Sequence, residues 1–267
     1  MVAEMLGGAE LVEITTTGDR VRAAGDKSRF VKEIEEALLA GEVDLAVHSA
    51  KDVPGELPSG LAIAAVPARA DPRDVLCGVD SISSLPPSAR IGTASVRRRS
   101  QLLSIRDDLE VVELRGNVDT RLRRLADGDF DAIVLAAAGL ERLGRAGEGV
   151  PVGIDEMTPA PGQGCLALEI RADDDATRAS VEAISDPAAS ACLGAEREFV
   201  IALDATCDTP VGAFAEVIEP GRLRLQAYAG APDGSVWMRD WTEGGDELGL
   251  VLAERMLAAG VADVLAA

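Results

Sequence analysis

Twice in the first two thirds of the chain, short apolar runs alternate with amphipathic stretches of helical period, and this order leaves few folds open. The first round predicts a strand over 10–15, a helix over 28–40 capped by Ser28, and a short buried strand over 43–47. A further strand follows over 61–66. The second round predicts a strand at Ile91, a helix over 96–105, a strand over 109–114, a helix over 118–125 and a strand over 132–135. Repetition of this kind favours doubly wound, mainly parallel sheets, so the expected class is α/β. Between the rounds, Ala70-Asp-Pro-Arg-Asp74 supplies turn chemistry suited to joining two lobes.

Residues 153–164 are rich in Gly and Pro and lead into a strand over 165–170, by which the chain returns to the first lobe. The last part changes character. A helix over 188–201, strands over 222–228 and 235–241 joined by Gly230-Ala-Pro-Asp-Gly234, and a helix over 246–259 form a separate α+β unit. The expected units are 1–68 with 165–184, 72–160, and 187–267, in keeping with a length that suggests two or three compact bodies. The longest apolar stretches, 61–66 and 133–138, fall far short of the roughly 20 residues a membrane crossing needs. Residues 1–10 lack the basic and apolar regions of a signal peptide, so a soluble, cytoplasmic protein is expected.

A net charge of -20 argues against nonspecific nucleic-acid binding. Its distribution is uneven: between Arg90 and Arg145 eleven arginines face nine acids, leaving -22 for the remainder. The four cysteines lie far apart and His48 is the one histidine, so no metal site is expected and the thiols are read as free. Cys77, Cys165 and Cys192 sit in apolar surroundings and read as core. Cys207 differs, lying in the polar loop Leu203-Asp-Ala-Thr-Cys-Asp-Thr-Pro-Val-Gly212, where an exposed thiol could react, although Asp204 and Asp208 disfavour its thiolate.

Three strand-end motifs could carry chemistry. His48-Ser-Ala-Lys-Asp-Val-Pro54 follows the strand over 43–47, at the edge where open α/β sheets place ligands. Lys51 can bind an anion there while Asp52 handles protons; the rival reading is a turn whose Asp52 bonds the local backbone. For His48, a packed and hydrogen-bonded core residue is the stronger reading. Ile91-Gly-Thr-Ala-Ser-Val-Arg-Arg-Arg99 has the order strand, polar loop, helix start: Thr93, Ser95 and free N–H groups make an anion site to which Arg97 and Arg98 add forked donors. Leu114-Arg-Gly-Asn-Val-Asp-Thr-Arg121 repeats the design and points Arg115, Asn117 and Arg121 at the same crevice. Arg99, Arg106, Arg123 and Arg124 read as ordinary solvated arginines paired with nearby acids.

Taken together the motifs resemble those of the porphobilinogen deaminases. Thr15-Thr-Thr-Gly-Asp19, Phe30-Val-Lys-Glu33, the motif at 48–54, Asp71-Pro-Arg-Asp74, Gly92-Thr-Ala-Ser-Val-Arg-Arg98, Leu114-Arg-Gly-Asn117 with Arg121, Ala138-Gly-Leu-Glu-Arg-Leu143, Gly162-Gln-Gly164 and Cys207-Asp-Thr-Pro-Val-Gly212 fall in that family's order over nearly the whole chain. The resemblance implies two lobes like those of periplasmic binding proteins, with a crossover back to the first, and a third α+β domain bearing the cysteine. It implies a monomeric enzyme that condenses four porphobilinogen molecules head to tail, with loss of ammonia, and then frees hydroxymethylbilane. The implied cofactor is dipyrromethane in thioether linkage to Cys207, with Asp52 the catalytic carboxylate beside the pyrrole N–H. Each pyrrole carries an acetate and a propionate, which forked arginines bind well. By the same resemblance Lys51, Ser95, Arg97, Arg98, Arg115 and Arg121 hold the primer, and Lys27, Ser49, Thr93, Asn117, Arg142 and Gln163 the substrate.

The chain also departs from the family's pattern. It begins within what should be the first helix and lacks the family's opening strand with its Gly-Thr-Arg-x-Ser-x-Leu-Ala stretch; a start codon assigned too far downstream would account for this. The stretch from Asp19 to Phe30 is shorter than usual, and Ala205-Thr precedes the cysteine where glycines are more typical. The alternative reading is a noncatalytic relative that binds a small polycarboxylate between the lobes, and a primer on Cys207 would discriminate the two.

Overall fold

The computed structural model describes residues 1–14, 31–206 and 208–267. Three sheets organise them. The first has strand order β1 (Ala46–Ser49), β8 (Leu166–Arg171), β2 (Leu61–Ala65), with both outer strands antiparallel to β8. The second runs β5 (Glu110–Val112), β4 (Arg90–Gly92), β6 (Ala132–Ala136), β3 (Asp74–Cys77), β7 (Val150–Pro151). Its first three strands are parallel and β3 runs against them. The parallel arrangement expected of both lobes therefore holds for three strands of the second. In the first, the return strand β8 arrives from the opposite direction and slots between β1 and β2, pairing antiparallel with each.

The second sheet is buried on both faces, as its continuous apolar strands require. Ala132 and Val134 pack with Leu76, Ile91 and Leu102 on one face, while Ile133 and Leu135 pack with Val75, Leu114 and Leu140 on the other. Gly92 makes this approach possible, because a Cβ there would lie 2.7 Å from Leu114 Cδ2. Helices begin where the sequence supplies caps. Ser95 Oγ accepts from the Arg98 N–H at the start of the helix Val96–Ile105, and Asn117 accepts from Thr120 at the start of Val118–Ala126.

In the third unit, β9 (Val211–Glu219), β10 (Arg222–Gly230) and β11 (Trp237–Gly244) form an antiparallel meander. It packs on the helices Pro187–Ala202 and Leu248–Ala258 through Phe199, Leu225, Leu252 and Met256. Asp186 caps the first of these helices and Pro187 opens it. That helix has a second partner: Ala189 and Leu193 pack against Ala50, Val53, Val66 and Cys165 of the first lobe. A short helix, Val2–Met5, sends Val2 into the first lobe beside Ala65, Leu168 and Val181.

One expectation needs correction. Residues 10–14 form no strand, and Leu11 and Val12 are exposed: no neighbour among the described residues offers them ladder partners or apolar cover. Residue 15 of that expected strand, the cap Ser28 and the motifs at 15–19 and Phe30 lie outside the described residues. Among the described residues no helix is long and apolar enough to cross a membrane.

Candidate active site

The carboxyl ends of the parallel strands β4, β5 and β6 define one edge of the second lobe, and the loops that follow them carry Thr93, Ser95, Arg115 and Asn117. Because β3 runs the other way, its first residue, Asp74, lies at this same edge opposite Ala136. Asp74 is wholly buried and forms a hub. Arg97 reaches it through Nη1 at 2.8 Å, Arg98 through Nη2 at 2.7 Å and Nε at 2.9 Å, and Gln163 through Nε2 at 3.0 Å. Burial alone would raise the pKa of Asp74, but the two guanidinium charges reverse it and hold the carboxyl well below the usual range. The cluster has two cations for one anion, so a positive charge remains at the edge of the lobe.

Further donors extend this field. Arg121 is half-buried, bonds through Nε to the Gly116 carbonyl at 2.7 Å, and has no carboxylate partner among the described residues. Burial and then the charge of Arg98 pull its pKa down, as expected where like charges gather without an anion. Arg142 donates to the Gly164 carbonyl at 2.8 Å, also without a carboxylate partner among the described residues.

The first lobe brings its own chemistry to the same place. After β1 the chain turns through a 3₁₀ segment, Ala50–Asp52, with Ala50 and Val53 buried and Lys51 and Asp52 partly exposed. The Ala50 N–H donates to the Cys165 carbonyl at 3.1 Å. The crossover segment 162–165 thus touches both lobes: Gly162 and Cys165 abut Ala50, Gln163 bonds Asp74, and Gly164 accepts from Arg142. Gly162 and Gly164 have φ of 72° and 92°, and a Cβ on Gly164 would meet the Ala70 carbonyl oxygen at 2.5 Å, so close approach selects glycine at both.

The structure distributes the expected site residues unevenly. Gln163 lies in the crossover and Arg142 bonds it, Arg97 and Arg98 join it through Asp74, and Lys51 and Asp52 follow Ala50, which abuts it. Ser49 is the last residue of β1, beside the turn. Thr93 is buried, its N–H spent on the Val112 carbonyl, and Ser95 serves as a helix cap. Arg115 and Asn117 are exposed on the next loop, where Arg115 pairs with Glu113 and Asn117 is a cap. Lys27 and Cys207 lie outside the described residues.

His48 is buried and bonds Glu169 at 3.0 Å, the packed role its sequence suggests. Cys77, Cys165 and Cys192 are buried, with burial pushing their thiols up to about 11, 12 and 11. Arg106 and Arg124 pair with Asp108 and Asp129 as expected, whereas Arg99 bonds the Val111 carbonyl.

Sequence reasoning missed Asp74 as the hub, reading it only as the end of a turn. It also missed Glu196, whose Oε1 bonds Arg69 at 2.6 Å and Ala215 N at 2.7 Å while Oε2 accepts from Gly162 N at 2.6 Å. A signal was there, since Glu196 falls on the stripe 189, 192, 193, 199 that the helix buries.

Residues 1–179 match the family described as "Porphobilinogen deaminase, dipyromethane cofactor binding domain", and residues 190–258 match "Porphobilinogen deaminase, C-terminal domain". The chain belongs to the porphobilinogen deaminase family. Among curated relatives, the Porphobilinogen deaminase of Brevibacillus brevis is 48% identical over 96% of this chain and 86% of its own length. That of Thermus thermophilus is 49% identical over 95% and 86%, and that of Deinococcus radiodurans 48% over 95% and 87%. Among solved structures, a periplasmic substrate-binding protein from Coxiella burnetii is 17% identical with a TM-score of 0.38, over 58% of this chain and 76% of that one, a likeness too distant to bear on function.

The family's cofactor is a small polycarboxylate, and the donor set fits such a group. Among the described residues, a buried cluster with one uncompensated positive charge, a buried Arg97 Nε without a partner, and two arginines without carboxylates all call for anionic oxygens.

Proposed function

We propose that this chain is a transferase that condenses four porphobilinogen molecules head to tail on a dipyrromethane primer bound covalently through Cys207, releasing ammonia and then hydroxymethylbilane. The observation that supports the reading is the crossover segment 162–165, which bonds both Ala50, at the start of the Lys51–Asp52 turn, and Asp74 of the cluster with Arg97 and Arg98. When bound, the primer supplies the nucleophilic pyrrole carbon to which each new ring is joined. The chain's own residues then have separate tasks. Arg121, Arg142 and the unsatisfied donor of Arg97 bind acetate and propionate groups, and the Asp74 cluster fixes the position of that field. Asp52 stabilises positive charge that develops on the substrate's pyrrole as ammonia departs, and holds or passes the proton of its nitrogen. Lys51, Ser49, Ser95, Thr93, Arg115, Asn117 and Lys27 complete the assignment. The units 1–68 with 165–184, 72–160 and 187–267, a monomeric state and a cytoplasmic location without nucleic-acid or membrane partners belong to the same proposal.

Intact mass of the purified protein, measured beside a Cys207→Ala variant, tests it. The expected outcome is an added mass equal to two linked pyrroles on the wild type and none on the variant. If neither protein carries it after incubation with porphobilinogen, the chain is a noncatalytic binder of polycarboxylates instead.

A further inference from the structure

The helix Pro187–Ala202 belongs to the third unit, yet one of its faces is committed to the turn that bears Asp52. Leu193, Arg197 and Ile201 recur every fourth residue and so share that face. Leu193 packs with Ala50 and Val53. The Arg197 guanidinium donates from one nitrogen, Nη2, to two successive carbonyls, Pro54 at 2.8 Å and Gly55 at 2.6 Å. Ile201 covers the backbone beyond, so close that a Cβ on Gly55 would lie 3.1 Å from its Cγ1. Arg197 has no carboxylate within ion-pair distance among the described residues; burial draws its pKa down and the charge of Glu169 partly offsets this. Its charge is spent on two backbone oxygens. The same helix ends at Ala202, five residues before Cys207.

We propose that Arg197 is a positioning residue that latches the Lys51–Asp52 turn to the helix carrying the cofactor loop, so that the catalytic carboxylate and the primer's anchor are registered by one rigid element. This rests on the deaminase reading above. Ala50 and Val53 hold the turn by apolar burial on either side of Lys51 and Asp52, which leaves the chain beyond Val53 free to swing. Two charge-assisted bonds to consecutive carbonyls remove that freedom. Lysine in this place would keep the charge and its donors but lose the rigid, planar orientation that aims them at both carbonyls.

The test uses the full-length protein, with wild type, Arg197→Met and Arg197→Lys purified in parallel. Porphobilinogen turnover and a primer mass on the wild type are required first; their absence sinks the deaminase reading itself and this inference with it. With both present, Arg197→Met should carry the primer mass normally and lose about 10- to 100-fold in kcat with KM within about twofold, the scale of a misplaced catalytic group. Arg197→Lys should recover part of the loss. Hydrogen exchange of peptides spanning 49–56 should speed up in the Met variant, with protection elsewhere unchanged. A raised KM at unchanged kcat would make Arg197 a direct ligand of substrate carboxylates and overturn the latch. Unchanged kinetics and exchange would overturn it too. Should the Met variant not accumulate as folded protein, the Lys variant carries the same comparison of kcat, KM and exchange.

Discussion

Asp74 accepts from two guanidinium groups and one amide, with its carboxylate wholly buried. Bringing three charges out of water is costly, and the arrangement holds because each cation has the anion beside it and backbone carbonyls besides: Thr158 for Arg97 and Val134 for Arg98. Removing the one anion leaves two like charges facing each other in the interior. Asp74→Asn should therefore destabilise the protein by about 3–5 kcal/mol, the range for breaking a buried pair. Urea denaturation at neutral pH measures this. A loss below about 1 kcal/mol would mean that the arginines are neutralised by something other than Asp74. The pH dependence has a definite sign. The folded pKa lies below the ordinary 3.8, so the stability Asp74 confers is present above that value and is lost as pH falls through the folded one. The gap between wild type and Asp74→Asn should stay constant down to about pH 5 and narrow in stronger acid.

Elements that rest on local signals were legible in the sequence. The helix expected over 96–105 forms as Val96–Ile105 because Ser95 caps it and the residues before it extend from β4. The strands expected over 10–15 and 43–47 fared differently: the first has no partner over 10–14 among the described residues, and the second shifts to Ala46–Ser49, where its register is set by the distant β8. β3 went unread because it starts on the last residue of a turn motif and is fixed by pairing with distant segments, Ala132–Ala136 and Val150–Pro151. The arginine-rich loops were legible as site candidates, while the contacts of Glu196 and Arg197 were not, since they join segments far apart in the chain. Glu196 is the element-scale lock, tying the helix Pro187–Ala202 to Arg69, to Gly162 of the crossover and to Ala215 of β9. Glu196→Gln offers an amide where two backbone N–H groups and a guanidinium need acceptors. Both tryptophans, Trp237 and Trp241, lie in β11, so their fluorescence reports the third unit. In the Gln variant the fluorescence transition in urea should separate from the far-ultraviolet circular dichroism transition. Coincident transitions in that variant, as in the wild type, would place the lock elsewhere.

At the scale of the whole molecule, charge works on two length scales with opposite signs. The net charge of -20 makes repulsion among exposed carboxylates the larger long-range effect, and it acts against the compact state. Exposed pairs such as Arg145 with Asp119 and Arg224 with Glu243 offset some of it, each contributing little in water. The buried clusters at Asp74 and Glu196 lie out of reach of mobile ions and keep their strength. Raising ionic strength from about 10 mM to 300 mM shortens the screening length from roughly 30 Å to well under 10 Å. Long-range repulsion then fades first, close exposed pairs fade less, and buried pairs hardly change. The melting temperature at neutral pH should therefore rise with sodium chloride, by roughly 2–4 °C for each kcal/mol of repulsion relieved in a chain of this size. Calorimetric scans over that salt range decide the matter: a falling melting temperature would mean that the exposed ion pairs outweigh the net charge. The same shift should appear in Asp74→Asn and Glu196→Gln, because the salt-sensitive charges are not the ones those substitutions remove.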